Sequence, residues 1–177
     1  LKEYVFENWE KINHYPEVIG ESLRNKISEH EQLAVEQVLV SSGTTESIYL
    51  VAQLFAGKRT TIVTPAFSEY EDACNMYDHQ LSFLSWQEAL EQPRLKCDLV
   101  FICTPNNPTG KAFPDLEFWM RLNRQCLFVV DEAFIDFTLT ASSYLSLIGQ
   151  FPNLIIMRSL TKAYAIPGLR LGFMAGH

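Results

Sequence analysis

Three polar residues stand at the ends of apolar runs: Asn107, Asp131 and Lys162. Lys162 follows the run Leu154-Ile155-Ile156-Met157, comes just after Ser159 and Thr161, and precedes Arg170 by eight residues. A lysine brought to a pocket by a buried strand can form a Schiff base with a carbonyl cofactor. Adjacent hydroxyls and a guanidinium can hold that cofactor's phosphate. Taken alone, the stretch reads as an ordinary strand and loop with surface cations, because short motifs recur by chance.

The neighbouring signals change that reading. Asp131 ends the apolar strand Cys126-Leu127-Phe128-Val129-Val130. A buried acid there is costly unless it is partnered, and open α/β sheets bind their ligands at that edge. Asn107 lies in Thr104-Pro105-Asn106-Asn107-Pro108-Thr109-Gly110, a stretch too rich in Pro, Asn and Gly for helix or strand. A loop that stiff presents Asn107 in a fixed direction. Ser41-Ser42-Gly43-Thr44-Thr45-Glu46 sits where an apolar run gives way to a helical pattern. Gly43, Thr44 and Thr45 could bind an anion through free backbone N–H groups. N-capping by Ser42 or Thr44, with Glu46 close behind, accounts for the same residues. Phe67 follows the strand 61–64 and could cover a planar ligand or simply join the core.

Together these residues match what pyridoxal phosphate requires. A lysine holds its aldehyde and a carboxylate keeps its ring nitrogen protonated. A donor steadies its phenolic oxygen, and an anion site takes the phosphate. The pyridinium would in turn relieve the desolvation cost of Asp131.

The elements that must position these groups alternate between strand and helix. Strands are expected at 35–40, 61–64, 81–84, 98–103, 126–130, 154–157 and 170–175. A helix beginning after Tyr15-Pro16 is expected to bury Val18, Ser22, Leu23 and Ile27. A second carries Ile48, Val51, Ala52 and Phe55 inward and ends near Gly57. Others are expected through Ala73 and Met76, at the start of 86–96, and over 114–125, with a helix or loop at 140–150. This is an α/β pattern around a largely parallel sheet.

Lys plus Arg number 14 against 21 Asp plus Glu, a net charge of −7. That balance argues against nonspecific binding to nucleic acid or to an anionic membrane. Cys74, Cys97, Cys103 and Cys126 form no C-x-x-C pair, and the histidines are scattered, so no zinc site is expected. Cys103 and Cys126 read as buried small hydrophobes. Reduced thiols, with neither a signal peptide nor a spanning segment, point to the cytoplasm. The chain starts with Leu and stops just after a strand-like run, as a part of a longer protein would.

In order and spacing, Thr104–Gly110, Asp131-Glu132-Ala133-Phe134, Ser159-Leu160-Thr161-Lys162 and Gly168-Leu169-Arg170-Leu171-Gly172 resemble aminotransferase class I/II enzymes of fold type I. Thr45-Glu46-Ser47-Ile48, Thr64-Pro65-Ala66-Phe67-Ser68-Glu69-Tyr70 and Ile135-Asp136-Phe137 are similar to the histidinol-phosphate aminotransferase branch, nearest to its threonine-phosphate decarboxylases of cobalamin biosynthesis. The resemblance implies the three-layer α/β/α large domain at 16–177, preceded by part of an N-terminal arm at 1–15, with the small C-terminal domain absent. It implies that Lys162 bonds to pyridoxal phosphate and that Asp131 pairs with the ring nitrogen. Asn107 would contact the phenolic oxygen and Phe67 would stack on the ring. Thr44, Thr45, Ser159, Thr161 and Arg170 would line the phosphate site. Tyr15 would reach the cofactor phosphate of a neighbouring subunit, making a homodimer with shared sites. The implied substrate is a phosphorylated amino acid or amine. Decarboxylation of threonine phosphate is the first reading, transamination of histidinol phosphate the second, and a non-catalytic ligand-binding domain the third. Two departures stand out. Phe134 occupies a place where many transaminases carry Tyr. The family is also about twice as long, its C-terminal part supplying the arginine for the substrate carboxylate.

Overall fold

The alternating pattern folds into one seven-stranded sheet, seen in a computed structural model that describes residues 2–177. A short helix α1 (Lys2–Glu7), a 3-10 turn (Trp9–Asn13) and helix α2 (Glu21–Glu31) precede the first strand, β1 (Val38–Ser41). Helix α3 (Thr44–Leu54), strand β2 (Arg59–Thr64), helix α4 (Ser68–Met76), strand β3 (Gln80–Ser85) and helix α5 (Trp86–Glu91) follow. Then come β4 (Leu99–Cys103), α6 (Leu116–Leu122), β5 (Leu127–Asp131) and β6 (Leu154–Ser159). A one-turn helix α7 (Leu160–Ala163) and strand β7 (Gly172–Gly176) complete the chain.

The strands lie in the order β1-β7-β6-β5-β4-β2-β3. Pairings among β3, β2, β4, β5 and β6 are parallel, and β7 runs antiparallel to both β6 and β1. Two reversals restore direction, so β1 runs with the parallel set. The C-terminal ends of β1, β2, β4, β5 and β6 therefore open on one edge.

Side-chain alternation along each strand sorts the core into two layers. Val100, Ile102, Phe128, Val130, Leu154 and Ile156 pack with Ile27, Trp119 and Met120 on one face. Leu99, Phe101, Cys103, Val129 and Met157 pack with Ile48, Val51, Tyr70 and Ala73 on the other. Strands apolar on both faces are what a sheet covered by helices on both sides requires. Burying Phe101 or Phe128 completely contributes on the order of 2–3 kcal/mol each.

Some local expectations are corrected. The first long helix starts at Glu21, after Gly20 takes a left-handed φ of 64°. Val18 therefore lies in a bend before the helix and is exposed, and Ser22 faces outward, bonded to Glu17, while Leu23 and Ile27 keep the inward stripe. The helix expected through Ala73 and Met76 forms as α4, with Ala73 buried and Met76 exposed at its end. The run at 35–40 divides into a 3-10 turn (Val35–Gln37) and β1. Segment 140–150 holds a 3-10 turn (Tyr144–Leu147). Arg170 precedes the last strand in a left-handed conformation, φ 50°. Cys103 and Cys126 are buried as expected.

Candidate active site

β5 delivers two consecutive acids, and alternation sends them to opposite faces. Asp131 shares the face of Val129 and is 4% exposed. The Tyr70 hydroxyl donates to its Oδ2 at 2.7 Å, and the Ala133 N–H donates to Oδ1 at 2.9 Å. Burial raises its carboxyl above the ordinary range. The two hydrogen bonds, and then the charge of Lys162, pull it back.

Asn107 and its loop are anchored by the residue before it. Asn106 is buried; its amide donates to the Pro65 carbonyl at 2.7 Å and its Oδ1 accepts from the Thr109 hydroxyl at 2.8 Å. The Thr104 N–H donates to the Asp131 carbonyl at 2.9 Å, which ties the loop to β5. Asn107 itself is exposed. The two asparagines divide the work: one holds the loop, and the other faces outward.

β6 ends at Ser159, and Lys162 stands exposed on the following turn. Its Nζ lies 6.0 Å from the centre of the Phe134 ring, and among the described residues it makes no salt bridge. The lysine thus comes from the turn after the strand and faces open space. Ser159 and Thr161 are buried, and their hydroxyls share a hydrogen bond of 2.8 Å.

The register Ser41–Gly172–Ser159 sets the start of α3 beside these hydroxyls. A Cβ on Gly172 would come within 3.0 Å of Gly43 C and Thr44 N, so the close approach requires glycine. Gly43, with φ 80°, caps α3 without a side-chain hydrogen bond, so the capping expected of Ser42 or Thr44 is not made. Glu46 instead accepts from the Ser42 N–H at 2.5 Å. Arg170 lies over this cap: a Cβ on Gly43 would meet its Nη2 at 2.8 Å. Its guanidinium donates to the Pro167 carbonyl at 3.2 Å. A helix N-terminus beneath an arginine is a site for an anion.

Phe67 is 41% exposed, its ring 6.1 Å from Tyr70 and edge-on to it. Tyr15 is fully exposed in the extended segment before α2. The structure therefore brings Asn107, Asp131, Lys162, Ser159, Thr161, Thr44, Thr45, Phe67 and Arg170 to one sheet edge. Tyr15 lies outside that group.

The family model described as aminotransferase class I and II matches residues 5–177. The chain belongs to the aminotransferase class I and II family. It is 34% identical to a threonine-phosphate decarboxylase of Salmonella typhimurium over 98% of its own length and 51% of that protein's. A histidinol-phosphate aminotransferase of Chlorobium limicola is 33% identical with the same coverage. The crystal structure of L-threonine-O-3-phosphate decarboxylase from Porphyromonas gingivalis superposes with a TM-score of 0.92 at 34% identity, covering 99% of this chain and 55% of that one. The chain thus spans about half the length of the relatives it matches, and the layered α/β sheet is the fold of this aminotransferase family.

Two contributors carry little signal in the sequence. Tyr70 lies one turn after Phe67 on α4, and that spacing is the one clue to it. Glu132, on the opposite face from Asp131, accepts from the Ser143 hydroxyl at 2.6 Å and the Tyr144 N–H at 2.7 Å, with Arg158 at 3.5 Å. Nothing in the linear pattern links those positions.

Proposed function

We propose that the full-length protein is a pyridoxal-phosphate-dependent enzyme whose reaction is decarboxylation of threonine phosphate. The cofactor assignment is carried by the buried Asp131 carboxylate, bonded to neutral donors with the charge of Lys162 facing it, and the choice of decarboxylation is supported by the 34% identical threonine-phosphate decarboxylase. The residues fit the cofactor chemically. Asp131 lacks a bonded cation, and Arg170 over the bare Gly43 cap leaves an anion cradle that a Cβ would obstruct.

Bound pyridoxal phosphate supplies an aldehyde for covalent attachment of an amine and a ring that accepts the electron pair of a breaking bond at Cα. Lys162 would hold the aldehyde and, once displaced by the substrate amine, carry a proton to Cα. Asp131 would keep a proton on the ring nitrogen. Asn107 would donate to the phenolic oxygen, and Phe67 would cover the ring. Thr44, Thr45, Ser159, Thr161 and Arg170 would bind the phosphate. Phe134, beside Lys162, offers no hydroxyl to the same oxygen.

Residues 16–177 are assigned as the cofactor-binding domain and 1–15 as an arm. In a homodimer with shared sites, Tyr15 would serve the neighbouring subunit's phosphate; its exposure, with that of Tyr4, Phe6 and Trp9, supports this. No helix of the described residues is long and apolar enough to cross a membrane. Four free, buried thiols support a cytoplasmic setting.

Transamination of histidinol phosphate is the second reading, favoured by the 33% identical aminotransferase over the same span. Full-length protein given threonine phosphate should release carbon dioxide and form no glutamate from 2-oxoglutarate. Glutamate formed with histidinol phosphate, and no carbon dioxide, would overturn the first reading in favour of the second.

A further inference from the structure

We propose that Tyr70 is a positioning residue for Asp131, holding its carboxylate in place and in its ionised form for the ring nitrogen of the cofactor. This deepens the cofactor assignment above and rests on it. Tyr70 is completely buried and its ring stacks on Phe101, centroids 5.1 Å apart and 8° between planes. Phe67 meets it edge-on. A ring clamped on two sides has little freedom, so its hydroxyl is delivered to one place, 2.7 Å from Asp131 Oδ2.

The groups facing Asp131 can be named from every side. Tyr70 comes from α4, Cys103 from β4, Ala133 from its own loop and Lys162 from α7. Burial and the Asp131 charge push the Cys103 thiol up to about 12, so it remains neutral. Burial and the same charge raise the Tyr70 hydroxyl well above its usual value, so it stays a donor. Tyr70 is thus a side-chain donor to this carboxylate that carries no charge and cannot compete with a pyridinium as a counter-ion. Each carboxylate oxygen takes one neutral donor and keeps a further lone pair for the ring nitrogen.

The test uses Tyr70→Phe in the full-length protein, which keeps the stacked ring and removes only the hydroxyl. A hydrogen bond to a charged group is worth enough that affinity for pyridoxal phosphate should fall roughly tenfold or more. The pH midpoint of the bound cofactor's visible band should move by about one pH unit. In an Asp131→Asn background, Tyr70→Phe should change affinity less than about twofold, because the coupling passes through the carboxylate. A wild-type protein with no visible band would overturn the cofactor assignment and this inference together. A wild-type band with an unchanged midpoint and affinity in Tyr70→Phe would overturn the inference alone. So would an equal loss in the Asp131→Asn background, which would mark Tyr70 as a packing residue.

Discussion

Asp131 and Glu132 are adjacent, both acidic and both buried, yet their surroundings differ in kind. Asp131 receives two neutral donors and no contacting cation. Glu132 receives Ser143, Tyr144 and Arg158, and Arg158 in turn reaches Asp136 at 2.8 Å. One carboxylate keeps spare hydrogen-bonding capacity toward an open edge; the other is saturated inside the fold. A peptide step along a strand turns a side chain through the sheet, so one dipeptide serves two layers. Under the proposed function, spare capacity suits Asp131 to a ligand, and saturation suits Glu132 to holding the fold.

That contrast predicts opposite costs. If the full-length protein has the proposed activity, Asp131→Asn should lower its turnover by about 10²–10³-fold, the scale of losing one preorganised electrostatic contact. Its thermal unfolding without cofactor should hardly change, because a buried charge with neutral partners is removed. Comparable activity in variant and wild type would break the comparison at its functional end. Arg158→Ala should do the reverse. It strands Glu132 without its cation and should cost about 3 kcal/mol in denaturant unfolding, the low end for breaking a buried pair, because Arg158 is partly exposed and 3.5 Å away. Cofactor affinity of the folded fraction should survive. A loss below about 0.5 kcal/mol, the level of an ordinary surface change, would show that Glu132 is not dependent on Arg158.

Much of this edge is legible in the sequence because each strand announces itself by an apolar run and each functional group follows the run's end. Asn107, Asp131 and Lys162 stand out in that way. The distinction between Asn106 and Asn107 has no such signature, since both lie in one stiff loop and only tertiary bonds to Pro65 and Thr109 separate them. Tyr70 is hidden for another reason. A cofactor alone can account for the cost of burying Asp131, so the sequence gives no cause to seek a protein partner 61 residues away. Val18 departs from its expected place because helical spacing does not extend backward through Gly20, whose left-handed backbone starts the helix afresh.

The pH dependence of stability sharpens the pair further. Burial is the leading cause that raises the carboxyls of both Asp131 and Glu132. At these two positions the folded chain binds more protons than the unfolded one, so their contribution to stability falls as pH rises. The contribution is fully present below the unfolded carboxylate value of about 4 and is lost as pH climbs through the raised folded value. A tenfold difference in proton affinity between the two states corresponds to about 1.4 kcal/mol. Thermal unfolding of the cofactor-free protein should carry this declining contribution against the opposite one from Glu17, Glu88 and Asp98, whose carboxyls are held below the ordinary range by hydrogen bonds. Asp131→Asn and Glu132→Gln should each flatten part of the decline, and Arg158→Ala should extend it to higher pH. Variant profiles that keep the full wild-type pH slope would contradict burial as the dominant cause at these two carboxyls.

The smallest effect concerns a second contrast, between two arginines. Arg158 is engaged by two carboxylates, whereas Arg170 donates to one carbonyl and covers the bare cap of α3. Gly43→Ala would place a methyl 2.8 Å from Arg170 Nη2 at a φ of 80°. Arg170 is exposed and can swing aside, so the fold should lose about 1–3 kcal/mol, from a backbone region (φ 80°, ψ 167°) that glycine alone adopts readily. The displaced guanidinium should weaken pyridoxal phosphate binding by roughly tenfold, the scale of one charge-assisted hydrogen bond. Pyridoxal, which lacks the phosphate, should bind variant and wild type alike. Equilibrium dialysis with both compounds separates the cases, because a general distortion of the sheet edge would weaken the two equally.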